Sequence, residues 1–156
     1  MATPIDPDSL AARHLTITLI GELVNYASFW TETLQIDAVD CIILAFVAHR
    51  SSSHLLSYKA EDAANAFADI DRLKADRISV AAKNIYLSLG MSRETVRRRL
   101  TDLERKGYIF KNDSGYIFPV QTGALDYTLP MRKYSLEMAA RVSKIFNEHI
   151  VAQAKT

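Results

Sequence analysis

At 156 residues with 49% hydrophobic content, the chain can bury a core as one domain, or as a small domain with helical extensions. Five Gly and four Pro exclude a collagenous or low-complexity chain. The single cysteine, Cys41, excludes an internal disulfide framework and fits a reducing compartment. Net charge is only +1, but it is unevenly spread: residues 1–71 carry −7, residues 72–111 carry +7 and residues 112–156 carry +1. Positive charge gathered into one block of a nearly neutral chain is the footprint of nucleic-acid binding, with a solvated basic face as the plainer account.

The first residues, Met-Ala-Thr-Pro-Ile-Asp-Pro-Asp, are acidic rather than basic, so residues 1–8 are expected to form a flexible N-terminus without a signal peptide. The longest apolar run, Cys41 to Ala48, is too short to cross a bilayer, so a cytoplasmic protein without a membrane partner is expected. Asp8 or Ser9 caps a long first helix with Leu15, Leu19, Leu23, Tyr26 and Trp30 near one face. Ile17, Ile20, Val24 and Phe29 lie off that face, which predicts a helix covered on more than one side. A second helix is expected from Asp37 to about Arg50, with residues 41–47 in the core, ended or bent by Ser51-Ser52-Ser53. Ala63, Phe67, Ile70 and Leu73 predict a third helix, and residues 9–74 read together as a helical region for core and dimerisation.

Residues 75–120 hold the most informative stretch. Ser79 is expected to cap a helix through Val80, Ala81, Ile85 and Leu89, closed by Gly90 with φ > 0. Ser92 caps the next helix, 92–106, on which Val96, Leu100 and Leu103 form one apolar stripe. Glu94, Arg98, Thr101 and Arg105 point away from the stripe, with Arg97 on its shoulder. A helix anchored on one side and Arg-rich on the other suits a major groove. After Gly107, the β-prone runs 108–111 and 116–118 flank Asn112-Asp113-Ser114-Gly115, a hairpin signal, and Pro119 ends the second run. A helix-turn-helix followed at once by a hairpin spells a winged helix. Beyond it, residues 130–154 predict a C-terminal helix with Met131, Tyr134, Met138, Val142, Ile145 and His149 on one stripe. That stripe needs a partner, either the N-terminal helix or a second copy of the chain.

The string Ser92-Arg93-Glu94-Thr95-Val96…Leu100…Leu103-Glu104…Gly107-Tyr108-Ile109 resembles the recognition helix and following strand of the catabolite activator (cyclic-AMP receptor) family of bacterial regulators. Similar strings occur in the GntR and MarR winged-helix families, and the resemblance spans roughly residues 78–119. It implies that Arg93, Glu94 and Arg98 read base edges while Ser92 and Thr95 touch phosphates. The chemistry agrees: Arg donates two hydrogen bonds to guanine, Glu accepts from cytosine N4, and a capped helix N-terminus anchors a phosphate. Nothing upstream is similar to the cyclic-nucleotide β-roll of the first family, and the long flanking helices look more like the MarR arrangement, in which both ends build the dimer. Tyr86 stands where a small residue is usual, and Arg99 where an apolar or small one is, its stem free to snorkel toward phosphate. Lys111 is the wing's one cation.

The expected fold is therefore mainly α with a small β-hairpin wing, a winged helix-turn-helix flanked by long N- and C-terminal helices for dimerisation. The expected function is sequence-specific binding of double-stranded DNA, at a palindromic operator, by a homodimeric transcriptional regulator. Arg93, Glu94 and Arg98 are the base readers; Lys83, Ser92, Thr95, Arg97, Arg99 and Lys111 contact phosphates. The alternative is a winged-helix protein-interaction or assembly module without DNA contact. Tyr26, Trp30, Phe46 and His49, with Phe29, are candidates for an effector pocket, against core and dimer packing as the simpler account. The four histidines lack ligand spacing, Cys41 sits in an apolar run, and no Gly-rich phosphate loop or nucleophile elbow is present. No metal, cofactor or enzymatic activity is expected.

Overall fold

The computed structural model describes residues 6–53, 77–119 and 128–148. These are mainly helical, with one small two-stranded antiparallel sheet. The chain divides into two compact units, Met1–Ile36 with Leu125–Thr156, and Asp37–Ala124. The helix expected over 61–73 and the end of the C-terminal helix, with His149, lie outside the described residues. No helix among them is long and apolar enough to cross a membrane.

The first unit pairs two long helices. Helix α1, Leu10–Leu34, starts where Ser9 accepts a hydrogen bond from the Ala12 N–H at 3.1 Å, so Ser9 rather than Asp8 is the cap. Helix α2, Ala38–Ser52, belongs to the other unit; the partner of α1 here is the C-terminal helix, Thr128–Phe146. That helix begins two residues before Pro130, which therefore sits in the first turn, where its missing N–H removes no bond. Phe29 stacks on Tyr134 with centroids 4.5 Å apart, Tyr26 lies 5.7 Å from the same ring, and the Tyr26 and Ser135 hydroxyls are bonded at 2.9 Å. Arg141 forks onto both carboxylate oxygens of Glu22 at 2.7 and 2.8 Å, and this hydrogen bonding holds the Glu22 carboxyl below its ordinary range. The C-terminal stripe thus finds its partner in α1. The single chain covers α1 on one side only: Ile17, Ile20 and Val24 are 69%, 57% and 59% exposed. A single facing helix covers one stripe, and α1 is apolar over more than that.

In the second unit, α2 is capped by Asp37, which accepts from the Asp40 N–H at 2.9 Å, and buries Cys41, Ile43, Leu44 and Val47. Ile42 faces outward at 49% exposure, so the apolar run is core along one side only. Burial pushes the Cys41 thiol above its ordinary range, which makes it a poor nucleophile. At the end of α2, fully buried Ser51 accepts from the Ile78 N–H through its carbonyl and from the Phe118 N–H through its hydroxyl.

Helix α3, Ala82–Leu89, and helix α4, Arg93–Arg105, follow, then strands β1, Phe110–Asn112, and β2, Gly115–Ile117; the C-terminal helix is α5. The strands pair Phe110 with Ile117, Lys111 with Tyr116 and Asn112 with Gly115. The expected Ser79 cap is corrected here. Val80 exchanges both backbone bonds with Tyr116, at 2.8 and 3.0 Å, and this extended pairing delays the helix until Ala81 is the cap, with no side-chain bond. Ser79 instead bonds the Asn112 side chain at 2.9 and 3.1 Å. Gly115, at φ 146°, runs against Val80 so closely that a Cβ would lie 2.5 Å from the Val80 carbonyl oxygen.

Candidate nucleic-acid interface

The basic block converges on α4. Gly90 closes α3 at φ 64°, and the Met91 N–H returns to the Tyr86 carbonyl, so a turn of two residues delivers the chain to Ser92. Ser92 accepts from the Thr95 N–H at 3.0 Å and shares a 2.8 Å hydrogen bond with the Thr95 hydroxyl. Val96, Leu100 and Leu103 are fully buried and Ile85 of α3 with them, while Tyr86 is half-buried. One side of α4 is thus fixed to the unit's core. Glu94, Arg98, Thr101 and Arg105 are exposed, as their spacing predicts, and so are Arg97 on the shoulder and Arg93 at the helix start.

The exposed groups differ in how free they are. Arg97 forks onto Glu94 at 2.7 and 3.1 Å, tying an expected phosphate contact to an expected base reader. The Arg97 hydrogen bonds, followed by the charges of Arg97, Arg98 and Arg93, hold the Glu94 carboxyl below its ordinary range, so it is an ionised acceptor. Arg93 and Arg98 take part in no ion pair among the described residues. Their donors face solvent. Lys83 is exposed in the first turn of α3, and Lys111 is exposed on β1 with its ammonium 5.9 Å from the Tyr116 ring centre.

Arg99 departs from its expected place at a phosphate. Its guanidinium bonds Asp37 and, at 3.3 Å, Asp40, and only 24% of the side chain is exposed. The flank of the apolar stripe that carries Arg99 faces the N-terminus of α2, where two carboxylates outcompete solvent for it. Backbone hydrogen bonding from Asp40, then Arg99, keeps the Asp37 carboxyl below its ordinary range. Burial, then the neighbouring Asp37 charge, pushes Asp40 above its own. Asp40 is absent from the residues that sequence alone points to, although Asp37-x-x-Asp40 is an acid pair one helical turn apart.

The effector candidates are divided between the two units. Tyr26 and Trp30 meet edge to face at 5.7 Å in the first unit, whereas half-buried Phe46 and exposed His49 belong to the second. A cavity of about 180 Å³ in the second unit is lined instead by Arg50, Ser53, Ile78, Ser79, Val80 and Asn84. No protein-family model, curated protein or solved structure matches the chain.

Proposed function

We propose that the chain binds double-stranded DNA sequence-specifically as a homodimeric transcriptional regulator, with α3, its turn and α4 as a helix-turn-helix and β1–β2 as the wing. The observation that carries this reading is the division of α4, fully buried along Val96, Leu100 and Leu103 and lined on the outside with Arg93 and Arg98, which are exposed and in no ion pair among the described residues. Such a helix can enter a major groove without loosening the core behind it. Arg93 and Arg98 offer forked donors to guanine, and Glu94 an ionised acceptor to cytosine. Lys83, Ser92, Thr95 and Lys111 hold phosphates, and Arg97 joins them when it releases Glu94. Arg99 anchors α4 to α2 and leaves the DNA-contacting set. In a two-fold dimer the recognition helices enter successive major grooves about 34 Å apart, which favours a palindromic operator.

The test is duplex binding over a range of salt by the wild type and an Arg93→Ala/Arg98→Ala double variant. The reading expects steep salt dependence, with the variant losing preference for one duplex over another while remaining folded. An identical profile for both proteins contradicts it. The second reading, a protein-interaction module, draws on Phe110, which is 56% exposed on the wing where a phosphate-facing strand gains nothing from it. A Phe110→Ser variant that binds DNA as the wild type does would leave that reading only the wing.

A further inference from the structure

The cavity of about 180 Å³ in the second unit lies where the end of α2, residues 78–80 and the first turn of α3 meet. Its polar lining is Arg50, Ser53, Ser79 and Asn84, and its apolar lining is Ile78 and Val80. The chain that builds it supplies no acid: residues 41–53 and 77–93 contain neither Asp nor Glu. Arg50 takes part in no ion pair among the described residues. Arg77, next to Ile78, is a second cation in the same position. Its guanidinium bonds the Ser52 hydroxyl, its buried Nε has no partner among the described residues, and burial pushes its pKa below the ordinary range. Desolvated positive charge without a counter-charge costs free energy, which an anion brought to this side of the unit offsets.

Hydrogen-bond donors are left over in the same place. Asn112 Oδ1 accepts from the Ser114 and Gly115 N–H groups at 3.0 Å each, and Asn112 Nδ2 donates to Ser79 Oγ at 2.9 Å. Oδ1 holds the Ser79 proton only as its third donor, at 3.1 Å, so that proton can turn to a ligand. Asn84 is the third residue of α3, whose cap, Ala81, has no side-chain oxygen to offer. The Ala82 and Lys83 N–H groups therefore have no acceptor among the described residues, and they carry the positive end of the helix dipole. A carboxylate brings two oxygens and one charge. A phosphate brings three oxygens and close to two charges, which matches a guanidinium, hydroxyls, an amide and a helix start together. The volume lies below the about 300–1,000 Å³ of a drug-sized ligand site, so little more than the phosphate fits inside.

We infer that this recess binds the phosphate group of a small molecule, inorganic phosphate or a short phosphate monoester, with Arg50 as its main counter-charge. The inference stands apart from the DNA reading, which gives Arg50, Ser53, Ser79 and Asn84 no role. Backbone amide resonances of the full chain, titrated with inorganic phosphate and with glycerol phosphate against chloride at equal ionic strength, test it. Saturable shifts at Ser53, Ser79, Lys83 and Asn84 that chloride does not produce are expected. Arg50→Ala, at an exposed position, should weaken phosphate binding about tenfold or more. Asn84→Asp puts an acid in the first turn of α3, which favours the helix, and should abolish saturation. The Arg93→Ala/Arg98→Ala variant should bind phosphate as the wild type does. Shifts that chloride reproduces, or an affinity that neither Arg50→Ala nor Asn84→Asp moves, overturn the inference. Adding a short duplex separates the two sources of phosphate. Retention of the small ligand supports the inference; its displacement, with the duplex shifting the same amides, gives the recess to the DNA backbone and overturns it. Failure here leaves the DNA reading to its own duplex-binding test.

Discussion

Arg99 reaches from the middle of α4 to Asp37, the capping residue of α2, 62 positions earlier in the chain, and touches Asp40 on the way. The pairing sets the angle of the candidate recognition helix from behind. It joins the basic helix to the acidic start of α2, with Asp40 only 6% exposed. Arg99→Ala strands that carboxylate, and is expected to lower unfolding stability by about 1–3 kcal/mol in urea denaturation. An Arg99→Ala protein of wild-type stability with weakened DNA binding would instead return Arg99 to the phosphates.

The same pair has a pH signature. Asp37, below its ordinary value of 3.8, contributes stability present above that value and lost as pH falls through its folded pKa. Asp40, raised above 3.8 by burial, binds its proton more tightly when folded, so its share of the Arg99 interaction disappears first as pH falls. The stability gap between wild type and Arg99→Ala should therefore be widest near neutral pH and narrow progressively into the acid range. Denaturation curves at several pH values check this. A gap independent of pH would place the loss in packing of the Arg99 stem.

Gly115 is fixed by its neighbour across the bridge. Gly115→Ala would bring a Cβ to 2.5 Å from the Val80 carbonyl oxygen at a backbone angle, φ 146°, that side chains rarely adopt. Strain of about 1–3 kcal/mol is expected, relieved by breaking the Val80–Tyr116 bridge. Faster hydrogen exchange at the Val80 and Tyr116 amides, with the α4 amides unchanged, is the outcome to look for. Unchanged exchange at both would mean that the bridge does not depend on the glycine.

Trp30 is buried, yet its indole N–H has no hydrogen-bond partner among the described residues. Trp30→Phe removes the unsatisfied donor and keeps most of the ring, so stability is expected to change by less than about 1.5 kcal/mol, whereas Trp30→Ala should lose about 3–5 kcal/mol. Thermal melts of both variants separate the two effects. A Phe variant as damaged as the Ala variant would show that the N–H matters.

Arg97 and Arg98 are adjacent but have different expected roles. Arg98→Ala should lose about 1–3 kcal/mol on a preferred duplex and relax the preference at one base pair. Arg97→Ala, by removing a phosphate contact, should weaken binding to all duplexes alike and reduce the salt slope by about one. Equal losses on preferred and random duplexes for both variants would refute the division.

What could be read from sequence here was local. The Ser92 cap, the left-handed Gly90, the buried stripe of Val96, Leu100 and Leu103, and the hairpin around Asp113 and Ser114 all depend on residues within a few positions of one another. What was misread depends on distant ones. Ser79 has the chemistry of a cap, but Val80 is held extended by Tyr116 from the far side of α4. Arg99 occupies a flank that permits snorkelling to phosphate, and only the arrival of Asp37 and Asp40 turns it inward. The apolar breadth of α1 was visible from its composition, but periodicity registers that a face is apolar and not whether its own chain covers it.

The most direct test of DNA recognition is selection from a random-sequence duplex pool by the purified chain, repeated over a range of salt. Enrichment of a palindromic motif, with half-sites about one helical turn apart and affinity falling steeply with salt, is the predicted result. No binding at low salt would contradict DNA binding outright, and salt-sensitive binding that enriches no motif would contradict base reading by Arg93, Glu94 and Arg98.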